Sequence, residues 1–146
     1  MNFSSADMIR NKIDKLINGL YWSGSLHRQE PIINDFDIIT MRPLDEVEQD
    51  FKDIFNCPVT KSRGGKKYIQ LQIKGVNFDI WRALDKTEYF FKKTLRNLDK
   101  EHSIYWHNQA KKRGYTLSET GLYRGDHKLK VRSLKKLRDI INIDDK

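Results

Sequence analysis

The chain has 146 residues, 38% of them hydrophobic, which is enough for one compact domain or two small subdomains around a buried core and too few for a train of modules. That content excludes a disordered chain. No apolar run approaches the roughly 20 residues of a membrane span, and the N-terminus lacks the apolar stretch of a signal peptide, so a soluble, intracellular protein without membrane contact is expected.

The net charge of +8 is unevenly placed: residues 1–83 carry 12 Lys/Arg against 11 Asp/Glu, and residues 84–146 carry 16 against 9. A basic half joined to a neutral half points to a polyanion held at one end and other work done at the other. The single cysteine, Cys57, forms no internal disulfide and has no zinc-spaced neighbours, so it reads as a plain buried thiol in a reducing compartment.

Residues 5–19 show apolar side chains at helical spacing (Ile9, Ile13, Leu16, Ile17), with Ser4 or Ser5 as the cap and Gly19 near the end. A loop follows through Trp22–Gly24, then a strand from Phe36 to Met41. Pro43 opens a second helix whose buried face is marked by Leu44, Val47, Phe51, Ile54 and Phe55. Two alternating segments come next: Tyr68–Ile73, with Gln70 and Gln72 between its apolar residues, and Val76–Trp81. Gly64-Gly65 and Lys74-Gly75 sit where hairpin turns are wanted. Residues 86–100 and 102–113 read as helices, the second closed by Gly114; Tyr115 to Val131 reads as short strands around Gly125-Asp126; Leu134, Leu137 and Ile141 line a last helix. The fold class expected is therefore α+β: a mixed or antiparallel sheet with helices on one face over residues 1–84, then a small basic α+β subdomain over 85–146.

Strand alternation puts Asp35 and Asp37 on one face, opposite Phe36 and Ile38. In the later strand Val76, Phe78 and Ile80 take the core face and leave Asn77, Asp79 and Trp81 on the open one. If the two strands are neighbours, three aspartates converge. At about 4 Å each like-charged pair costs on the order of 4 kcal/mol at an effective dielectric near 20, so such a cluster needs cations. All-oxygen ligands suit Mg²⁺, and two ions sharing carboxylates are a device for in-line phosphoryl transfer. The plainer reading is three solvated aspartates at strand ends. Upstream, the Gly24-Ser25 turn frees backbone N–H groups and a hydroxyl to face phosphate oxygens, and Arg28 neutralises them. The plainer reading there is a surface turn with an ordinary arginine.

Gly24-Ser25-Leu26-His27-Arg28, then six residues to Asp35-Phe36-Asp37-Ile38-Ile39, resembles the signature of the polymerase β-like nucleotidyltransferase superfamily. Phe78-Asp79-Ile80 is similar to its third aspartate, and Lys111 through Leu122 resembles the stretch of family X DNA polymerases that joins the nucleotide-binding helix to the C-terminal strands. The likeness spans about residues 8–40, 68–84 and 104–141. With no room for a lyase domain or fingers, the chain resembles the reduced family X enzymes of large DNA viruses, which keep a palm and a C-terminal subdomain; a viral chain would act in the cytoplasm of an infected cell or in a virion.

The resemblance implies a nucleotidyltransferase palm at 1–84 and a nucleotide- and DNA-binding subdomain at 85–146. It implies a DNA-directed DNA polymerase for short-gap repair, acting on a primer-template or gapped duplex with dNTPs, as a monomer. It also implies two Mg²⁺ ions, for which Mn²⁺ substitutes: Asp35 and Asp37 would ligate both, and Asp79 only the catalytic ion. Gly24, Ser25 and Arg28 would hold the triphosphate. The family's sugar-contacting aromatic pair, Thr and Gly correspond to Tyr89-Phe90-Phe91-Lys92-Lys93-Thr94, without the glycine; Tyr89 and Phe90 either serve that role or belong to the core. Lys111, Lys112, Arg113, Arg124, Lys128 and Lys130, with Lys92, Lys93, Arg96, Arg132, Lys135, Lys136 and Arg138, would grip DNA phosphates without reading sequence, giving distributive synthesis. His27 lies near the expected triphosphate, and Trp81 shares the Asp79 face. Two alternatives remain: a small nucleotidyltransferase acting on a protein, an RNA end or a small molecule, and a non-catalytic DNA-binding protein.

Overall fold

The computed structural model describes residues 1–143 and divides the chain into two units, Met1–Ala83 and a second from Leu84 onward. The chain's last residues, Asp144 to Lys146, lie outside the described residues.

Asn2, rather than Ser4 or Ser5, caps the first helix, α1 (Phe3–Asp14): its side-chain oxygen accepts the Ser5 N–H at 2.8 Å. An N-cap side chain satisfies one of the orphan donors of the first turn. The helix also stops five residues before Gly19, and Leu16, expected on its buried face, is exposed. The segment read as a loop holds a short strand, β1 (Tyr21–Ser23), and one turn of helix, α2 (Gly24–His27). Next come β2 (Asp35–Thr40), α3 (Leu44–Ile54), β3 (Val59–Gly64), β4 (Tyr68–Ile73) and β5 (Val76–Arg82).

These strands form one five-stranded sheet in the order β1-β2-β5-β4-β3, antiparallel except for the β2–β5 pair. The mixed sheet follows from the connection: α3, β3 and β4 separate β2 from β5, long enough for the crossover that parallel neighbours require. The core side of the sheet carries Phe36, Ile38, Ile69, Leu71, Ile73, Phe78 and Ile80, packed with Ala6 and Ile13 of α1 and Leu44, Val47 and Phe51 of α3. Phe36 stacks on Phe78 at 4.9 Å between ring centroids, and Trp22 meets Phe36 edge-on at 5.5 Å. Each such fully buried side chain contributes about 1.5–3 kcal/mol. Cys57 is half-buried rather than buried; it lines a cavity of about 390 Å³ with Ile9, Ile13, Phe55, Ile73 and Val76.

The second unit contains α4 (Lys86–Arg96), α5 (Lys100–Lys112), a three-stranded antiparallel sheet of β6 (Thr116–Ser118), β7 (Gly121–Arg124) and β8 (His127–Lys128), and α6 (Leu134–Ile141). Asp85, Asp99 and Ser133 cap the three helices through side-chain oxygens. Phe91, Leu95, Trp106, Ala110, Leu117, Leu122, Val131, Leu137 and Ile141 make a separate core. No helix among the described residues is long and apolar enough to cross a membrane.

Candidate active site

Alternation along β2 sends Phe36 and Ile38 into the core and Asp35 and Asp37 to the opposite face. β2 and β5 are hydrogen-bonded neighbours, and their parallel register runs unbroken from Asp35–Asn77 through Asp37–Asp79 to Thr40–Arg82. Register partners point to the same side, so Asp37 and Asp79 stand beside each other on strands about 4.8 Å apart. Asp35 is on the same face, one pleat back along β2, and is exposed.

Gly24 closes on this face. It adopts a φ of +66°, and a Cβ there would overlap Asp37 Oδ2. Only glycine meets both conditions, because it carries no β-carbon and reaches positive φ without strain. The Ser23 hydroxyl donates to the Asp37 carbonyl at 3.3 Å and so ties the start of α2 to β2. Ser25, half-buried, lies in the first turn of α2, and Arg28 follows as its C-cap. Arg28 is engaged by Glu30, whose Oε2 accepts from Nη2 at 2.8 Å and from Nε at 3.2 Å. Both side chains are partly exposed, and such a pair is worth at most about 1 kcal/mol, so a phosphate competing for the guanidinium meets a small cost. His27 is exposed, with its ring 6.2 Å from that of Tyr21.

Two residues passed over in the sequence reach the third aspartate. Asp79 Oδ1 accepts the Tyr68 hydroxyl at 2.5 Å and Gln70 Nε2 at 2.9 Å. The Tyr68 ring packs on Trp81 at 4.9 Å, so Trp81 serves as a wall for that tyrosine. A signal for Gln70 was present: a two-residue turn at Lys74-Gly75 pairs Ile73 with Val76, and counting back along both strands brings Gln70 opposite Asp79.

Among the described residues, no three His, Cys, Asp or Glu side chains are grouped tightly enough to hold a metal ion as they stand. Three like charges have no reason to close on one point without a cation between them. The donor set nevertheless fits a hard divalent ion: it is carboxylate oxygen throughout, on adjacent strands of one face. Asn77, the register partner of Asp35, adds a buried side-chain oxygen with no hydrogen-bond partner among the described residues. Such an orphan at a polar site calls for a water or an ion.

In the second unit Lys111 and Lys112 end α5, Arg113 caps it, and all three are exposed. Arg124, exposed on β7, has its guanidinium 5.0 Å from the centre of the Tyr115 ring; Lys128 on β8 is half-buried, and Lys130 beyond it is exposed. Lys130, Arg132, Ser133 and Lys136 line an open cleft of about 500 Å³. Lys92 does not belong to this surface. It is 7% exposed and its Nζ lies 3.7 Å from Glu88 Oε1, because position 92 falls on the face of α4 that also carries Phe91 and Leu95. Arg96 is likewise spoken for by Glu119, Nε to Oε1 at 2.5 Å. Of the two candidate sugar-contacting aromatics, Phe90 leans on the second core, edge-on to Phe91 at 5.2 Å, and the Tyr89 ring lies 4.2 Å from Lys93 Nζ.

Neither a family model nor a curated protein sequence matches the chain. A solved structure does: a crystal structure of a ternary P/T complex of Leishmania infantum polymerase β superposes with a TM-score of 0.75 over 99% of this chain and 73% of the other, at 14% sequence identity. The chain has a polymerase β-like fold. In that fold the α+β architecture expected from the sequence is met, with a five-stranded mixed sheet and helices against its apolar face.

Proposed function

We propose that this chain is a template-directed DNA polymerase that adds dNTPs to a primer 3′-hydroxyl in short gaps, with a second, basic unit that holds DNA. The observation that carries the reading is the β2–β5 register, which sets Asp37 beside Asp79 with Gly24 pressed against Asp37. The polymerase β-like fold adds support.

In this reading the primer 3′-oxygen attacks the α-phosphorus of the triphosphate, the bond to the β-phosphate oxygen breaks, and pyrophosphate leaves. Asp35, Asp37 and Asp79 would hold two Mg²⁺ ions, which would supply charge neutralisation for the phosphoryl transfer. The chain's own groups do the rest. Asp35 and Asp37 hold the ions, and Asp79 helps to activate the primer hydroxyl. Ser25 and the backbone of the Gly24 turn face the outer phosphates, and Arg28 exchanges Glu30 for them. Lys111, Lys112, Arg113, Arg124, Lys128 and Lys130 take the DNA backbone, which gives affinity without sequence readout.

The test is primer extension on one-nucleotide-gapped DNA with Mg²⁺ and either dNTPs or NTPs, with Asp37→Ala as control. Extension by wild type and none by the variant is the expected result. Nucleotide transfer to RNA, protein or a small molecule without extension of DNA would replace the polymerase reading by a nucleotidyltransferase with another acceptor. DNA binding without any transfer would leave a non-catalytic DNA-binding protein.

A further inference from the structure

Asp79 is held by two side-chain donors. Two donors from β4, the Tyr68 hydroxyl and Gln70 Nε2, converge on one of its oxygens, Oδ1, and among the described residues Oδ2 accepts no hydrogen bond. At 2.5 Å the phenol contact has the length of a charge-assisted bond to a carboxylate. Tyr68 is itself fixed from behind by the Trp81 ring, and Gln70 is the direct cross-strand partner of Asp79. Two donors arriving from a neighbouring strand fix both side-chain torsions of the aspartate, and they occupy one oxygen while leaving the other open.

We infer that Tyr68 and Gln70 are positioning residues that hold Asp79 as a one-oxygen ligand, presenting Oδ2 to a divalent cation. The inference rests on the proposed function, and it goes further in assigning residues that no aspartate motif contains. Without the clamp, Asp79 is free to rotate away from the negative charge of Asp37 beside it, and the site then has to draw it back on each encounter with a cation. Partners of this kind around a ligating carboxylate are typically worth about 10- to 100-fold in metal affinity or activity.

The decisive experiment titrates the full chain with Mn²⁺ alone, following free ion by electron paramagnetic resonance, for wild type, Tyr68→Phe, Gln70→Leu, Asp79→Ala and Asp79→Ala with Tyr68→Phe. Both single variants keep the side chain's bulk; Tyr68→Phe removes the hydroxyl donor, and Gln70→Leu removes the Nε2 donor together with the Oε1 that accepts the Ser62 hydroxyl at 2.7 Å on the exposed edge strand. Each should weaken Mn²⁺ binding, by a factor on the order of 10 or more. Tyr68→Phe should add nothing in the Asp79→Ala background, since a residue acting through Asp79 has no effect once Asp79 is gone. In gap filling the same single variants should lower kcat and leave the KM for dNTP within about two-fold, because uniform binding of the substrate is untouched. Equal Mn²⁺ affinity in wild type and both donor variants overturns this inference while leaving the polymerase reading intact. A wild-type chain that binds no Mn²⁺ overturns the two-metal reading and this inference with it. An undiminished effect of Tyr68→Phe without Asp79 shows a purely structural tyrosine and also overturns it.

Discussion

Gly24 and Asp37 interlock: Asp37 Oδ2 fills the space that a β-carbon on Gly24 would need, while Gly24 holds a φ of +66°. The turn expected to face a triphosphate and an aspartate expected to hold a cation are thus in direct contact. Gly24→Ala strains the backbone and pushes the carboxylate aside. It should cost about 1–3 kcal/mol of stability by chemical denaturation. Gap filling should fall on the order of 100-fold, the penalty for displacing a reacting group by an ångström.

Asp35→Asn should separate catalysis from stability. Removing one of three like charges relieves repulsion, so without Mg²⁺ and at low salt the variant should melt no lower than wild type, and by up to about 1 kcal/mol higher. Its gap-filling rate should nevertheless drop on the order of 10²- to 10³-fold. Added Mg²⁺ should raise the wild-type Tm more than that of the variant, since a ligand stabilises the state that binds it. A variant that melts lower and keeps full activity would contradict the arrangement.

The two kinds of lysine in the second unit should behave differently. Lys92→Met breaks a buried pair and leaves the buried Glu88 carboxylate without that cation, which should cost about 3–5 kcal/mol while leaving the salt dependence of DNA binding unchanged. Lys112→Ala, at an exposed position, should leave the Tm alone and lower the slope of log affinity against log salt by about one phosphate contact. Thermal melts and DNA titrations at several salt concentrations check both.

Asp85 caps α4 by accepting the Glu88 N–H at 2.8 Å, and this bond, reinforced by the positive charges of Lys128 and Arg132, holds its carboxyl below the usual carboxylate range. A group whose folded pKa is depressed contributes stability above its unfolded value, about 3.9 for Asp, and loses it as pH falls through the lower folded value. Asp85→Ala should therefore cost about 1 kcal/mol near neutral pH, and the gap from wild type should shrink below about pH 4. Denaturation curves across that range read the effect; a gap that widens on acidification would refute the cap.

Local pattern alone carried much of this protein. Alternation in Asp35–Thr40 and in Val76–Arg82 separates aspartates from core residues, and the Lys74-Gly75 turn fixes which residues of β4 and β5 meet. Spacing of four residues, one helical turn, marks Val47, Phe51, Leu137 and Ile141 as buried before any neighbour is known. Elsewhere the pattern is silent. β1 is three residues long, too short for a period to register, and β3 is an edge strand whose Thr60, Lys61, Ser62 and Arg63 are all exposed, so no apolar alternation betrays it. The burial of Lys92 is hidden as well, since a lysine's type gives no hint that a glutamate one turn earlier shares the core face of its helix.

What the sequence by itself determined is which side of each strand an aspartate takes, because side-chain alternation belongs to a single strand. Only the tertiary structure decided that β5 lies next to β2 and not beyond β4, since that choice comes from how Phe36, Phe78 and Phe51 stack to exclude water. The meeting of Asp37 with Asp79 follows from that burial.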